Sequence, residues 1–209
     1  MGTTATSSPA GGPTVTADVH VEHLDVVFAR GDAAYCWCQW DRLRGKAFDD
    51  LERSERRALT ARLLDDAQAG SAPGPGVVAL VGDEPVGWCA VAPRRDLPRL
   101  FTSPSALKAL PEGERGDDGT WSVTCFVVRP GHRRQGVAGV LLDAAVEHAF
   151  SHGASTVEAY PVDLAEKPKT SSSGLYRGTV SLFEAHGFGI VARPRPGRAV
   201  VRRPAPPAK

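Results

Sequence analysis

Hydrophobic and polar positions change their spacing near the middle of the chain. Over residues 121–128 apolar and β-branched side chains predominate, as they do in a strand. After a Pro-Gly break at 130–131, apolar side chains recur every three or four residues along 136–152, as in an amphipathic helix. The change in period predicts a strand, a tight loop and a helix in that order.

The same reading predicts elements on both sides of this unit. Residues 77–81 and 86–92 are two strands joined by a Gly-Asp turn, and 49–69 is a charged helix with a leucine stripe. The aromatic segment 35–40 is predicted as a compact strand, whereas 19–28 fits either a helix or a strand. The remaining predictions are a strand at 156–161, a helix at 180–186 and a hairpin formed by 190–192 and 199–201.

This order of elements predicts an α/β fold with a mixed central sheet and flanking helices. We expect one domain over residues 16–203, with disordered tails at 1–15 and 204–209. Two long polar loops, 94–119 and 163–178, interrupt the domain, and the second is predicted to form a lid or rim at a binding site.

Composition narrows the functional classes. The net charge of +1 gives no basic field for nucleic acid, and no apolar run approaches the length of a membrane span. Without a signal-peptide pattern, the expected location is cytoplasmic. Cys36 and Cys38 would point the same way on a strand, so a metal pair is conceivable, but no second pair has zinc spacing. Buried thiols and no metal site are therefore favoured.

The loop before the central helix has the chemistry of an anion site. The first turn of a helix carries backbone amides without helical partners, and the helix dipole adds partial positive charge there. Gly136 and Ala138 leave those amides accessible, and Arg133 and Arg134 can reach phosphate oxygens. The alternative is a glycine-containing turn that merely opens a helix.

The segment from Arg133 to Ala138, Arg-Arg-Gln-Gly-Val-Ala, resembles the (Gln/Arg)-x-x-Gly-x-(Gly/Ala) signature of the GNAT N-acetyltransferase superfamily. The segment 182–188, which ends in Gly-Phe, is similar to a late helix of that family, and the resemblance covers about 75–195. It implies a mixed central sheet of the GNAT acyltransferase type.

The resemblance also implies the cosubstrate and the reaction. Acetyl-CoA would be held without a metal, and an amine of a small molecule or peptide would attack its thioester directly. A homodimer is possible. The residues expected to bind the cosubstrate are Phe126, Val127, Val128, Arg133, Arg134, Gln135, Gly136, Val137, Ala138 and Gly139.

An ammonium acceptor must lose a proton before it attacks, so a base is expected. Glu158, on a polar strand face, is the first candidate, and Asp163 is the second. The family often has a tyrosine where this chain has Phe183, which cannot protonate the leaving thiolate. Tyr176, seven residues earlier, is the candidate substitute.

Phe183 keeps a second class of function open, a non-catalytic module that binds or senses acyl-CoA. A third possibility is an interaction protein in which the segment 133–139 only opens a helix.

Overall fold

One mixed sheet runs through the computed structural model of the protein, which describes residues 12–104, 106, 110, 112–116 and 119–207. The sheet order is β1-β2-β3-β4-β5-β7-β6, and only β4 and β5 pair in parallel. The predicted mixed sheet with flanking helices is confirmed. Its strands are β1 (Thr14–Thr16), β2 (Gly76–Val81), β3 (Glu84–Pro93), β4 (Thr120–Val128), β5 (Thr156–Ala159), β6 (Gly189–Arg195) and β7 (Arg198–Pro204).

Helices cover both faces of the sheet. They are α1 (Val21–Val27), α2 (Asp32–Cys36), α3 (Lys46–Asp49), α4 (Arg53–Gln68), α5 (Val137–Ser151), α6 (Ser172–Leu175) and α7 (Val180–Ala185). Residues of α5 and α7 share one apolar core with the strands, and residues of α1, α2 and α4 share a second core with β2 and β3. No helix in the described ranges combines the length and apolar character that a membrane span needs.

The sheet opens between β4 and β5. The two strands pair only from Thr120 opposite Thr156 to Val123 opposite Ala159. A register irregularity in the pairing of β3 with β4 lies at the same level. Beyond it, the amide of Arg129 bonds to β3, so the backbone groups of the alternate residues Phe126 and Val128 face the gap. The edge of β4 is thus available on this side.

The aromatic strand predicted at 35–40 is wrong. The chain forms α2 and then passes through two left-handed residues, Trp37 (φ 49°) and Cys38 (φ 55°). The Trp37 side chain is fully buried with its ring edge-on to Phe28, and its carbonyl accepts a hydrogen bond from Thr60. Packing against α1 and α4 therefore overrides the strand propensity of this segment.

Three other boundaries differ from the sequence prediction. The helix predicted over 49–69 is two helices, because α3 ends at Asp49 and a capping box of Glu52 and Glu55 starts α4. The ambiguous segment 19–28 contains helix α1. The tail predicted over 1–15 contains Thr14 and Val15 of β1, and β7 includes the first residue of the predicted C-terminal tail. Residues 1–11 and 208–209 lie outside the described residues.

The loop predicted at 94–119 is partly outside the described residues. Its described part contains short 3-10 turns at Arg94–Asp96, Leu100–Thr102 and Glu112–Glu114. Leu97 and Leu100 are buried with Tyr160 in a third apolar cluster. This part of the loop is therefore packed onto the domain.

Gly76 is where β2 passes closest to its neighbour. A Cβ atom there would lie 2.2 Å from the carbonyl oxygen of Cys89 and 2.6 Å from the Trp88 ring. We expect Gly76→Ala to lower the free energy of unfolding in urea by about 3 kcal/mol, because backbone cannot move aside cheaply. Gly189→Ala, in β6, meets nothing within 4 Å and is the matched control. Equal unfolding midpoints for the two variants would contradict this account.

Candidate functional site

Two cavities flank β4 in the described part of the chain. The first cavity has a volume of 620 Å³ and lies on the open edge of the strand, between the loop 132–136, the start of α5 and the segment from α6 to α7. Phe126 and Val128 line it from β4. The second cavity has a volume of 450 Å³ and is lined by the alternate β4 residues Cys125 and Val127.

The loop that closes the first cavity has a backbone suited to anions. Gly131 (φ 94°), Arg134 (φ 60°) and Gly136 (φ 80°) are left-handed, and Gly136 is the N-cap of α5. The first helical hydrogen bonds are donated to the Gly136 carbonyl by Gly139 and Val140. The amides of Val137 and Ala138 precede them and are left for other acceptors. The loop thus has the amide arrangement that binds phosphate groups.

Most residues predicted to bind the cosubstrate line the first cavity. Eight of the ten do so: Phe126, Val128, Arg133, Arg134, Gly136, Val137, Ala138 and Gly139. Val127 does not, because neighbouring side chains of a strand alternate between its faces, and it lines the second cavity. Gln135 does not line the first cavity either. Its side-chain amide donates a hydrogen bond to the Gly131 carbonyl, 2.7 Å away, and stabilises the loop.

Two backbone groups on the open edge of β4 already have partners. The Phe126 amide donates to the Tyr176 carbonyl at 2.7 Å, and the Val128 carbonyl accepts from Nε of Arg133 at 2.9 Å. A ligand that pairs with these groups as an added strand must replace both hydrogen bonds. The segment around Tyr176 and the Arg133 side chain therefore have to move when such a ligand enters.

The second cavity combines aromatic rings with charged groups. Tyr35, Trp40 and Phe48 contribute the rings. The charged side chains are Asp32, Asp41 and Arg177, and Nη2 of Arg177 lies 2.9 Å from Oδ1 of Asp41. Residues 173, 176 and 177 of the predicted rim segment 163–178 also line this cavity. A small organic molecule would thus find both apolar walls and charged groups here.

Tyr176 lines both cavities. Its hydroxyl points toward Gly31, where an added Cβ would be 3.8 Å away. Burial, followed by the negative charge of Asp32, raises the pKa of the Tyr176 phenol. The phenol therefore keeps its proton at neutral pH and can act as a proton donor. Tyr176 and Phe183 do not lie on one helix, because α6 ends at Leu175 and α7 begins at Val180.

Neither carboxylate predicted as the base lines a cavity. Glu158 is completely buried and accepts hydrogen bonds from Arg202 at 2.7 Å, from Arg94 at 3.5 Å and from the Tyr160 hydroxyl. Both carboxylate oxygens are thus engaged by core side chains, and neither faces one of the two cavities. The expectation that this strand face meets a cleft or solvent is wrong at Glu158.

Asp163 organises a loop. It accepts from the side chain of Arg193 and from the backbone amides of Ala165 and Glu166. The Arg193 hydrogen bond is the largest of the effects that hold the pKa of Asp163 below its usual range. A carboxylate with a lowered pKa is a weak base. The contacts of Asp163 therefore indicate a role in stabilising the loop.

Other sequence candidates pack into the core. Phe183 is fully buried, with its ring edge-on to Phe126 and Phe188. The four cysteines are all free. Burial raises the pKa of the Cys36 thiol to about 11, and a hydrogen bond with Cys125, followed by burial, raises the pKa of the Cys38 thiol well above its usual range. No group of three or more potential metal ligands occurs within the described ranges.

The sequence analysis missed a hydrogen-bonded pair at the wall of the first cavity. His186 Nδ1 lies 2.7 Å from Asp143 Oδ1, and both residues line the cavity. A Cβ on Gly139 would lie 2.9 Å from the His186 ring, so the small residue after the signature gives room to that ring. The spacing of α5 and α7 in sequence carries no signal for this contact.

The sequence model of the Acetyltransferase (GNAT) family matches residues 37–177, well over half of the chain. The chain belongs to the GNAT acetyltransferase family. It is therefore an acyltransferase, and the first cavity contains the signature loop of its family. No curated protein sequence matches the enzyme.

Solved structures of other acetyltransferases share the fold. PaiA N-acetyltransferase from Thermoplasma acidophilum, in complex with coenzyme A, has a TM-score of 0.53 at 10% identity over 93% of this chain and 99% of that one. Ribosomal-protein-alanine N-acetyltransferase from Brucella melitensis has a TM-score of 0.52 at 15% identity, over 91% of this chain and 99% of that one. The putative acetyltransferase YncA from Salmonella typhimurium, with its cofactor acetyl-CoA, has a TM-score of 0.52 at 13% identity, over 92% of this chain and 93% of that one.

Proposed function

We propose that the enzyme transfers the acetyl group of acetyl-CoA directly to an amine of a small molecule or peptide. The observation that carries this proposal is the pair of cavities on opposite faces of β4, which share Tyr176. A thioester on one side and an amine on the other would meet at this residue. Coenzyme A or acetyl-CoA in two structures of the same fold supports the choice of cosubstrate.

The first cavity fits acetyl-CoA in shape and charge. The loop amides at Val137 and Ala138, with Arg133 and Arg134, suit a diphosphate. The open β4 edge suits the amides of the pantetheine arm once the Tyr176 carbonyl has left the Phe126 amide. The released Phe126 amide would then polarise the thioester oxygen.

In the reaction the amine nitrogen forms a bond to the acetyl carbon and the bond from carbon to sulfur breaks. An ammonium acceptor and acetyl-CoA give the amide, CoA as its thiol and one proton. Asp32 lines the second cavity beside Tyr176 and takes over the role first assigned to Glu158, receiving the proton directly or through water. Tyr176 protonates the departing thiolate.

Thermal shift and thiol release test the proposal together. A ligand at 100 times its dissociation constant stabilises the folded state by about 2.7 kcal/mol, so CoA and acetyl-CoA should both raise the melting temperature while ATP should not. Thiol release from acetyl-CoA should then depend on an added amine. Stabilisation without thiol release across a broad amine panel would indicate a binding module instead. If neither CoA nor acetyl-CoA changed the melting temperature, the interpretation as an interaction protein would be favoured.

Tyr176→Phe removes only the phenolic hydroxyl group. It should lower kcat about 100-fold, within the usual contribution of a positioned proton donor. The KM for acetyl-CoA should stay within about threefold, because the ring and the backbone remain in place. Tyr35→Phe, which loses a hydroxyl from the same cavity, is the control and should keep most of kcat. An unchanged kcat in Tyr176→Phe would remove this residue from the mechanism.

Cytoplasmic location, a homodimer and the absence of nucleic-acid partners stay predictions. Light scattering on the purified enzyme measures its subunit number directly, with and without CoA.

A further inference from the structure

The second cavity contains an arginine that is only partly satisfied. Nη2 of Arg177 bonds to Asp41, but Nη1 is buried and has no hydrogen-bond partner among the described residues. Burying a polar donor without a partner is unfavourable, and more so for a charged group. Trp37 and Arg99 also contain such an atom, but neither lines this cavity. Arg177 lines the cavity and therefore has capacity for one more acceptor at this buried donor.

The charge around this arginine is mixed. The carboxylates of Asp32 and Asp41 line the same cavity. The guanidinium of Arg198 lies beside α6, 3.6 Å from where a Cβ of Gly174 would be. Asp41 bonds to one side of the Arg177 fork only, so the other side is left for a second anionic oxygen.

The free donor lies close to the reacting position. Arg177 directly follows Tyr176. The Tyr176 carbonyl accepts a hydrogen bond from the Phe126 amide, which is proposed to polarise the thioester. The floor of the same cavity is Thr124 and Cys125, the residues just before Phe126. One small molecule in this cavity can thus present an anion to Arg177 and an amine to the thioester.

The opposite wall is apolar and rigid. Arg56 stacks 4.0 Å from the centre of the Tyr35 ring and 4.3 Å from that of Phe48, and Arg99 stacks 3.9 Å from Trp40. Each of the three rings thus contacts a guanidinium group. The rings line the cavity and suit an aliphatic or aromatic side chain.

We infer that the acceptor is a free α-amino acid with an apolar side chain, whose carboxylate bonds to Nη1 of Arg177. The inference rests on the proposed acetyl transfer and specifies its acceptor. Such a molecule has its amine and its carboxylate on one carbon, and its side chain packs against Tyr35, Trp40 and Phe48. A peptide N-terminus has an uncharged amide carbonyl in place of that carboxylate and should be a poorer acceptor.

Matched acceptors separate this inference from the proposed function. Thiol release from acetyl-CoA is measured with phenylalanine and leucine, and with phenethylamine and isoamylamine, which lack only the carboxylate. Rates are compared at equal concentrations of neutral amine. We expect kcat/KM to be at least tenfold higher for the amino acids. Equal or faster release with the amines would overturn the inference and leave acetyl transfer intact, whereas no release with any acceptor would overturn both.

Arg177 variants give the second readout. Arg177→Gln should lower kcat/KM for the amino acids at least tenfold and leave that for the amines within about threefold, and Arg177→Lys should restore part of the loss. Stabilisation by CoA in a thermal melt shows that each variant is folded with its first cavity intact. An equal loss for amino acids and amines would assign Arg177 a structural role and reject the carboxylate contact.

Discussion

Gly136→Glu is expected to weaken CoA binding at least about 100-fold, equivalent to about 2.7 kcal/mol. The substitution places a carboxylate at the N-cap of α5, where the diphosphate is proposed to bind, and strains a residue with φ 80°. One lost hydrogen bond to a charged group accounts for roughly 1.5–3 kcal/mol, and charge repulsion adds to it. Isothermal titration with CoA measures the change.

Gly131→Glu is the matched control for this variant. Gly131 has φ 94°, and both positions have open space around an added Cβ, so the new side chain causes comparable backbone strain. Gly131 does not line the first cavity, and its variant should bind CoA within about fivefold of the wild-type enzyme. Similar affinities for the two variants would show that strain in the loop, and not the anion site, determines binding.

Glu158→Leu should lower the free energy of unfolding by about 3–5 kcal/mol, a large part of the 5–15 kcal/mol typical of a domain. The carboxylate is completely buried between Arg94 and Arg202, and its loss brings two positive charges together without the group between them. Urea unfolding at low temperature measures the effect. Glu158→Gln keeps the side-chain volume and one acceptor oxygen, so its free energy of unfolding should fall less. This variant is therefore the one to use in activity assays.

Glu84→Leu is the control, because Glu84 makes an exposed ion pair with Arg129 and should contribute no more than about 1 kcal/mol. The two Glu158 variants also separate stability from catalysis. If Glu158→Gln is folded and keeps the pH profile of kcat, Glu158 is a structural residue. A large loss of kcat together with loss of the acidic limb of that profile, with unfolding unchanged, would restore it as the base.

The signature loop was predictable because the residues that define it are adjacent in the sequence. Gly136 and the arginines before it are consecutive in sequence, and the change from strand to helix spacing fixes their place. The central hairpin and α5 were predictable for the same reason. These elements contribute one whole side of the site, including eight of the ten predicted cosubstrate residues.

The structural role of Glu158 was not predictable because its environment is assembled over long distances. Glu158 bonds to arginines 64 and 44 residues away, and neither contact leaves a pattern in the sequence. The second cavity combines three separated segments, around residues 31–48, 124–127 and 173–177. Within the first of these, residues 35–40 were predicted as a strand, and no sequence pattern links Asp32 and Asp41 to Tyr176, more than 130 residues away.

The alternation of β4 between the two cavities has a consequence for how the enzyme can vary. Phe126 and Val128 face one cavity, and Cys125 and Val127 face the other. Substitutions at Cys125 and Val127 can therefore alter the second cavity while Phe126 and Val128 leave the first cavity unchanged. A single inserted residue in this strand would exchange the two sets at once. The strand can thus diversify by replacement but not by a change in length.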